Sequence, residues 1–233
     1  MTGRSAVWLA RQTGGLKAAS SNLAVPTILF SLTNEKLMKQ EKRSGRSGQS
    51  TERKLGFEAA AGWPVFECLI SEYWRDPTTL TEILIAKEPP FGGIVACVFL
   101  VDLGCLGPKL SFLSQFRTVA EYKTVFRTMM TERDPKIGAD YALGVKILRE
   151  SIRYAQDLGF YLPEPVQKSL SALGSLDIAS ACREEIPLGG KDGKPFFMAG
   201  PNDDVDKIMD ILVKKCGRGN FTFTIPFATS VMV

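Results

Sequence analysis

The stretch from Gly92 to Lys109, GGIVACVFLVDLGCLGPK, decides the fold. It opens on a Gly-Gly turn and runs on through Ile94, Val95, Val98, Phe99 and Val101, β-branched and aromatic residues that favour a strand. The run is apolar at odd and even positions alike. A strand with one wet face would alternate, so this one is expected at the centre of a sheet covered on both sides. Asp102 stands where the strand leaves the core, and Gly104, Gly107 and Pro108 then break it in a turn.

Working outward, Pro64–Tyr73 and Leu80–Lys87 read as two further strands, the second turned by Pro89-Pro90-Phe91-Gly92-Gly93 into the central one. Three strands joined by short turns predict an antiparallel meander. Helical spacing then takes over. Val119–Met130 is expected as a helix stopped near Asp134-Pro135. Ala139–Leu158 is the strongest, with Tyr141, Val145, Leu148, Ile152, Ala155 and Leu158 on one face and Gly159 past its end. A shorter helix is predicted over Pro165–Leu173. Ile186–Gly190 and Lys194–Gly200 flank Lys191-Asp192-Gly193, which reads as a hairpin. Asn202 or Asp203 would cap a helix through Cys216, and Phe221, Phe223 and Ile225 alternate with threonines as a last strand. This order lacks regular βα alternation. The predicted class is α+β: an antiparallel sheet, made of a three-strand meander, a later hairpin and a C-terminal strand, covered by about four helices.

At 233 residues, 45% of them hydrophobic and 23% charged, the chain can bury a proper core. Residues 57–226 read as a single α+β domain, followed by a C-terminal tail over 227–233. Residues 1–56 read as a leader. They hold ten Lys/Arg against three Glu, a balance of +7, while the remainder carries −3. The run from Lys42 to Lys54 has too little apolar surface to fold and is expected to be disordered. Met38 offers an alternative start, which would make residues 1–37 a mis-assigned extension. An acid-poor Arg/Ser leader also fits a transit peptide, whereas the signal-peptide core at Leu23–Leu32 is split by Pro26. No apolar run reaches about 18 residues, so no membrane span is expected. Five scattered cysteines, an odd number, suggest reduced thiols in a cytoplasmic protein.

The chain contains no histidine. That removes Ser-His-Asp and Cys-His nucleophile systems, His-ligated zinc and imidazole proton shuttles. Catalysis would have to rest on other groups. Asp102 and Lys109 form one candidate: an acid at a strand end could hold Mg²⁺ through water while the lysine steadies a phosphate, with Glu67, Glu82, Glu184 or Asp192 as further carboxylates. The bland alternative has Asp102 capping its own turn. Cys105 is the best-placed thiol for a nucleophile, against a reading as a packed small hydrophobe. Gly104–Ser111 lacks the spacing of a phosphate loop. Lys191 and Lys194 in one turn, and Arg218 in Gly217-Arg-Gly-Asn220, place cations beside glycines and are candidate anion sites. In the leader, Lys36, Lys39, Lys42, Arg43, Arg46, Arg53 and Lys54 are candidate nucleic-acid contacts. Trp63, Tyr73 and Trp74 could stack on bases, though aromatics beside an apolar strand more often belong to the core.

The blocks FLVDLGCLGPK (Phe99–Lys109), YAQDLGF (Tyr154–Phe160), IPLGGKDGKPFFMAGPNDD (Ile186–Asp204) and GRGNFTF (Gly217–Phe223) resemble a bacterial protein family with a strand ending in FLVD, a CLG-x-K turn and a DGKP hairpin. The resemblance spans about Trp63 to Phe223. That family has no established activity, so the resemblance implies a shared fold and no mechanism. The functional expectation is therefore a non-enzymatic binding module without a cofactor, whose basic leader contacts RNA, DNA or another acidic partner and whose body meets an unidentified protein. The alternative is a small Mg²⁺-dependent hydrolase or nuclease centred on Asp102 and Lys109.

Overall fold

The computed structural model describes residues 57–225; the leader cations and the tail over 227–233 lie outside the described residues. A 3₁₀ turn at Phe57–Gly62 leads into β1 (Val65–Ser71), β2 (Leu80–Lys87) and β3 (Ile94–Asp102). These pair antiparallel in chain order, as the meander predicts. A fourth strand, β4 (Gly107–Phe116), extends the meander beyond the sequence expectation, and a short β5 (Lys136–Gly138) adds to the other side of β1. The order is β4-β3-β2-β1-β5, antiparallel throughout.

β3 lies in the middle of the meander and all nine of its residues are buried. Its side chains divide by parity between two cores. Cys97, Phe99 and Val101 join Cys68, Ile70, Ile83 and Ile85 against Ile147 and Leu148 of the helix α3 (Tyr141–Asp157). Ala96, Val98 and Leu100 face the opposite way, among Leu84, Phe112, Phe116, Tyr122, Phe126 and Met130. Tyr122, Phe126 and Met130 of this second face come from one helical run. It consists of α1 (Val119–Glu121), a π-helical stretch (Tyr122–Arg127) and α2 (Thr128–Arg133). The wider π turn carries both Tyr122 and Phe126 into the sheet, where their rings pack on Phe116 at 5.6 and 4.9 Å. On the first face α3 lies close. A Cβ at Gly144 would stand 2.6 Å from Cys68 Sγ, so the helix presents a glycine there.

α4 (Glu164–Ser171) packs beside β4, whose Ser111 hydroxyl donates to the Pro165 carbonyl at 2.9 Å. A further 3₁₀ helix covers Leu176–Ala181. The expected hairpin around Lys191-Asp192-Gly193 does not form. The turn is present, with Gly190 N–H donating to the Lys194 carbonyl at 2.6 Å, but only Phe196–Met198 becomes a strand, β6. β6 pairs in parallel with β7 (Thr222–Thr224), across the intervening helix α5 (Val205–Cys216). The cap of α5 is Asp204, which accepts from Lys207 N–H, rather than Asn202 or Asp203. The chain is α+β, with a five-stranded antiparallel sheet and a small second sheet. Among the described residues no helix is long and apolar enough to cross a membrane.

Candidate functional site

Asp102 closes β3, and its carboxylate turns back on the β3–β4 turn. Cys105 N–H donates to Oδ1 at 3.0 Å. Asp102 is the turn cap. Burial is the main influence on it and raises its pKa above the usual carboxylate value, while the Lys109 charge and the turn N–H groups pull the other way. The turn also docks a distant segment: Phe196 N–H donates to the Gly104 carbonyl at 3.0 Å, and Gly189 N–H to that of Leu103 at 2.9 Å. A Cβ at Gly104 would meet the Phe196 carbonyl oxygen at 2.3 Å, so this contact requires glycine.

Lys109, on β4, does not bond Asp102. Its ammonium donates to Asp203 Oδ2 at 2.6 Å, and both side chains are nearly buried. The same oxygen accepts the Gly200 N–H at 2.7 Å. Asp203 was expected only as a helix-cap residue; its pairing with a lysine 94 positions away has no local sequence signal. The other carboxylates proposed to join Asp102 are engaged elsewhere. Glu67 accepts from Tyr122 at 2.7 Å and Arg127 at 3.0 Å. Glu82 is held by Arg133 and by Lys136, the latter at 3.0 Å. Glu184 pairs with Arg75, and Asp192 accepts from Lys194 N–H. Among the described residues no three His, Cys, Asp or Glu side chains lie together in a way that could hold a metal ion. The donor set a Mg²⁺ hydrolase needs is not assembled around Asp102.

Cys105 is fully buried, and its pKa is raised well above that of a free thiol, first by burial and then by the Asp102 charge; Lys109 opposes this without reversing it. Such a thiol is held in its unreactive form. Of the three aromatics considered for stacking, Trp74 is fully buried, Trp63 is partly buried and packs edge-on to Phe91 at 5.6 Å, and Tyr73 is exposed. The two cation-bearing turns do meet. Lys194 Nζ donates to the Gly219 carbonyl at 3.3 Å, which brings exposed Lys191, Lys194 and Arg218 to one side of the molecule.

A third apolar cluster gathers Cys105 and Leu106 after β3, Tyr154, Leu158 and Phe160 at the end of α3, Phe197 and Ala199 around β6, and Phe221 and Phe223 at β7. The four sequence blocks that carry the family resemblance thus contribute to one cluster. Beside it lies an open cleft of about 290 Å³. Leu106 and Pro108, Phe160 and Pro163, and Ile208 and Ile211 line it, and the Lys109–Asp203 pair and Lys207 supply its charges. No sequence feature grouped these apolar positions into a site, because they come from three separate stretches. Compared with models of protein families, with curated proteins and with solved structures, the chain matches nothing.

Replacement of Asp102 by Asn tests the cap assignment. Asn keeps the oxygen that accepts from Cys105, so unfolding free energy at neutral pH should change by no more than about 1 kcal/mol. The pKa of Asp102 is higher folded than unfolded, so its contribution is complete below the unfolded value of 3.8 and is lost as pH rises through the folded one. Relative to the native protein, Asp102→Asn should therefore be less stable in acid than at neutral pH. Urea unfolding at both pH values reads this directly; a large loss at neutral pH would show that the charge itself is required.

Proposed function

We propose that this protein is a non-enzymatic binding module whose basic leader engages nucleic acid or another acidic partner, while the folded body meets a protein partner. The observation that carries this reading is the division of charge, +7 over residues 1–56 against −3 over the rest. A cationic segment joined to a mildly acidic body attracts polyanions through the segment alone. The commitments of the catalytic candidates support a binding role: Asp102 caps, Lys109 is paired and Cys105 is buried. The hydrolase alternative would need carboxylates that are bonded elsewhere. We also propose membership of the bacterial family that the four blocks resemble, and a cytoplasmic setting, which the five free cysteines support.

Binding to nucleic acid should be weak, indifferent to sequence and strongly dependent on salt, because lysine and arginine release counterions without reading bases. Seven cations lie between Lys36 and Lys54. The log–log salt slope should then be no steeper than about −6 on duplex DNA and about −5 on single strands. Deleting residues 1–56 should abolish the binding. Undiminished affinity after that deletion would transfer the interface to Lys191, Lys194 and Arg218; no binding by the full chain at low salt would remove the nucleic-acid role.

A further inference from the structure

We propose that the cleft between the β3–β4 turn, the α3–α4 loop and α5 binds a small amphipathic carboxylate, an apolar chain bearing one anionic group. All of its described lining residues belong to the folded body, between Leu106 and Ile211. Its walls are apolar: Leu106, Phe160, Ile208 and Ile211 face a space of about 290 Å³, at the small end of the range for small-molecule sites. Its charges select the sign of the ligand. Two lysines and one aspartate line it, a balance of one positive charge, and Asp203 Oδ2 accepts from both Lys109 and Gly200 N–H. Lys207 is exposed, and no ion-pair partner for it occurs among the described residues. Lys109 spends one ammonium N–H on Asp203 and has others to give. An anion therefore finds donors at the lysines and an apolar wall for its body. A cation would meet two lysines against one aspartate, a lining of net positive charge. At the mouth, Tyr161 is 95% exposed, so its ring is free to close over a bound chain.

The test uses the full chain and three probes of equal chain length, octanoate, octanol and octylammonium. Octanoate should shift the amide resonances of Phe160, Lys207 and Ile211 and bind about ten-fold more tightly than either of the others, the effect of one charge-assisted hydrogen bond. Lys207→Glu changes an exposed side chain and should weaken octanoate by about ten-fold or more, while Lys207→Arg should retain it. Equal binding of octanoate and octylammonium would overturn the proposal. So would native affinity in Lys207→Glu, or octanoate shifts confined to the leader.

Discussion

Lys87→Met should remove about 2 kcal/mol or more of unfolding free energy, because it deletes a buried cation that bonds main-chain carbonyls. Lys87 ends β2 and is almost wholly buried. Among the described residues it has no ion-pair partner, and its ammonium donates to three carbonyls, those of Ala60 at 2.9 Å, Ala61 at 3.0 Å and Leu173 at 3.3 Å. The three donors of the group are thus matched by three acceptors, two from the 3₁₀ turn before β1 and one just past α4. Met fills similar space but leaves those carbonyls without the donor, and each orphaned buried acceptor costs about 1–3 kcal/mol. The Leu173 carbonyl keeps a hydrogen bond from Tyr141 at 2.9 Å and the Ala60 carbonyl keeps one from Trp63 N–H at 3.2 Å, so the Ala61 end should suffer most. Denaturant unfolding measures the loss, and hydrogen exchange should show the segment around Ala60 opening first. A loss below about 1 kcal/mol would mean that water reaches these carbonyls at little cost.

Stability should also fall steeply as pH rises above 9. Burial pushes the pKa values of Cys68 and Cys97 up to about 12, and that of Cys105 well above the ordinary 9.0. For Cys68 the charges of Asp140 and Glu67 add to the effect, whereas Lys87 lowers the value for Cys97. Above pH 9 the unfolded chain loses these protons while the folded one keeps them. Unfolding then releases protons, and each thiol costs the folded state about 1.4 kcal/mol per pH unit up to its folded pKa. Lys87 works in the opposite direction. Burial lowers its pKa, so its contribution rises with pH between the folded value and 10.5. Unfolding titrations at pH 8, 9 and 10 should show the decline, and Cys97→Ala should flatten it by about one thiol's share. Thiolate absorbance emerging near pH 9 in the folded protein, read in a Cys182→Ser/Cys216→Ser background that removes the two partly exposed thiols, would contradict the burial of these groups.

The buried thiols and Lys87 belong to a core whose outline was legible in the chain. β3 could be placed because both of its faces are apolar, and that pattern has one economical explanation. β2 and the meander followed from turn residues, and α3 from its recurring apolar face. β4 was not legible. Its sequence, GPKLSFLSQF, carries serines at positions that the structure buries, and the Ser111 hydroxyl is satisfied by Pro165 and Ser169 more than fifty residues away. A register shift between Leu100 and Val101 further breaks its alternation against β3. The hairpin expectation failed for a similar reason. The turn chemistry at Asp192-Gly193 was read correctly as a turn, but β6 finds its partner in β7 rather than in the segment before the turn.

In the candidate site, the sequence singled out Asp102 and Lys109, and its bland reading of Asp102 as a turn cap agrees with the Cys105 hydrogen bond. Lys109, expected to steady a phosphate beside Asp102, is paired with Asp203. The cleft, with Phe160, Lys207 and Ile211, had no signal in any one segment.

By itself, the sequence determined the class, the central strand, the strongest helix, the absence of histidine chemistry and the separation of a +7 leader from a −3 body. Each of these depends on composition or on a period of two to four residues, and so is written locally. The tertiary structure alone decided which carboxylate meets Lys109, where the four blocks converge and how β6 finds β7. Those outcomes depend on contacts between residues far apart in the chain. No short-range pattern encodes them.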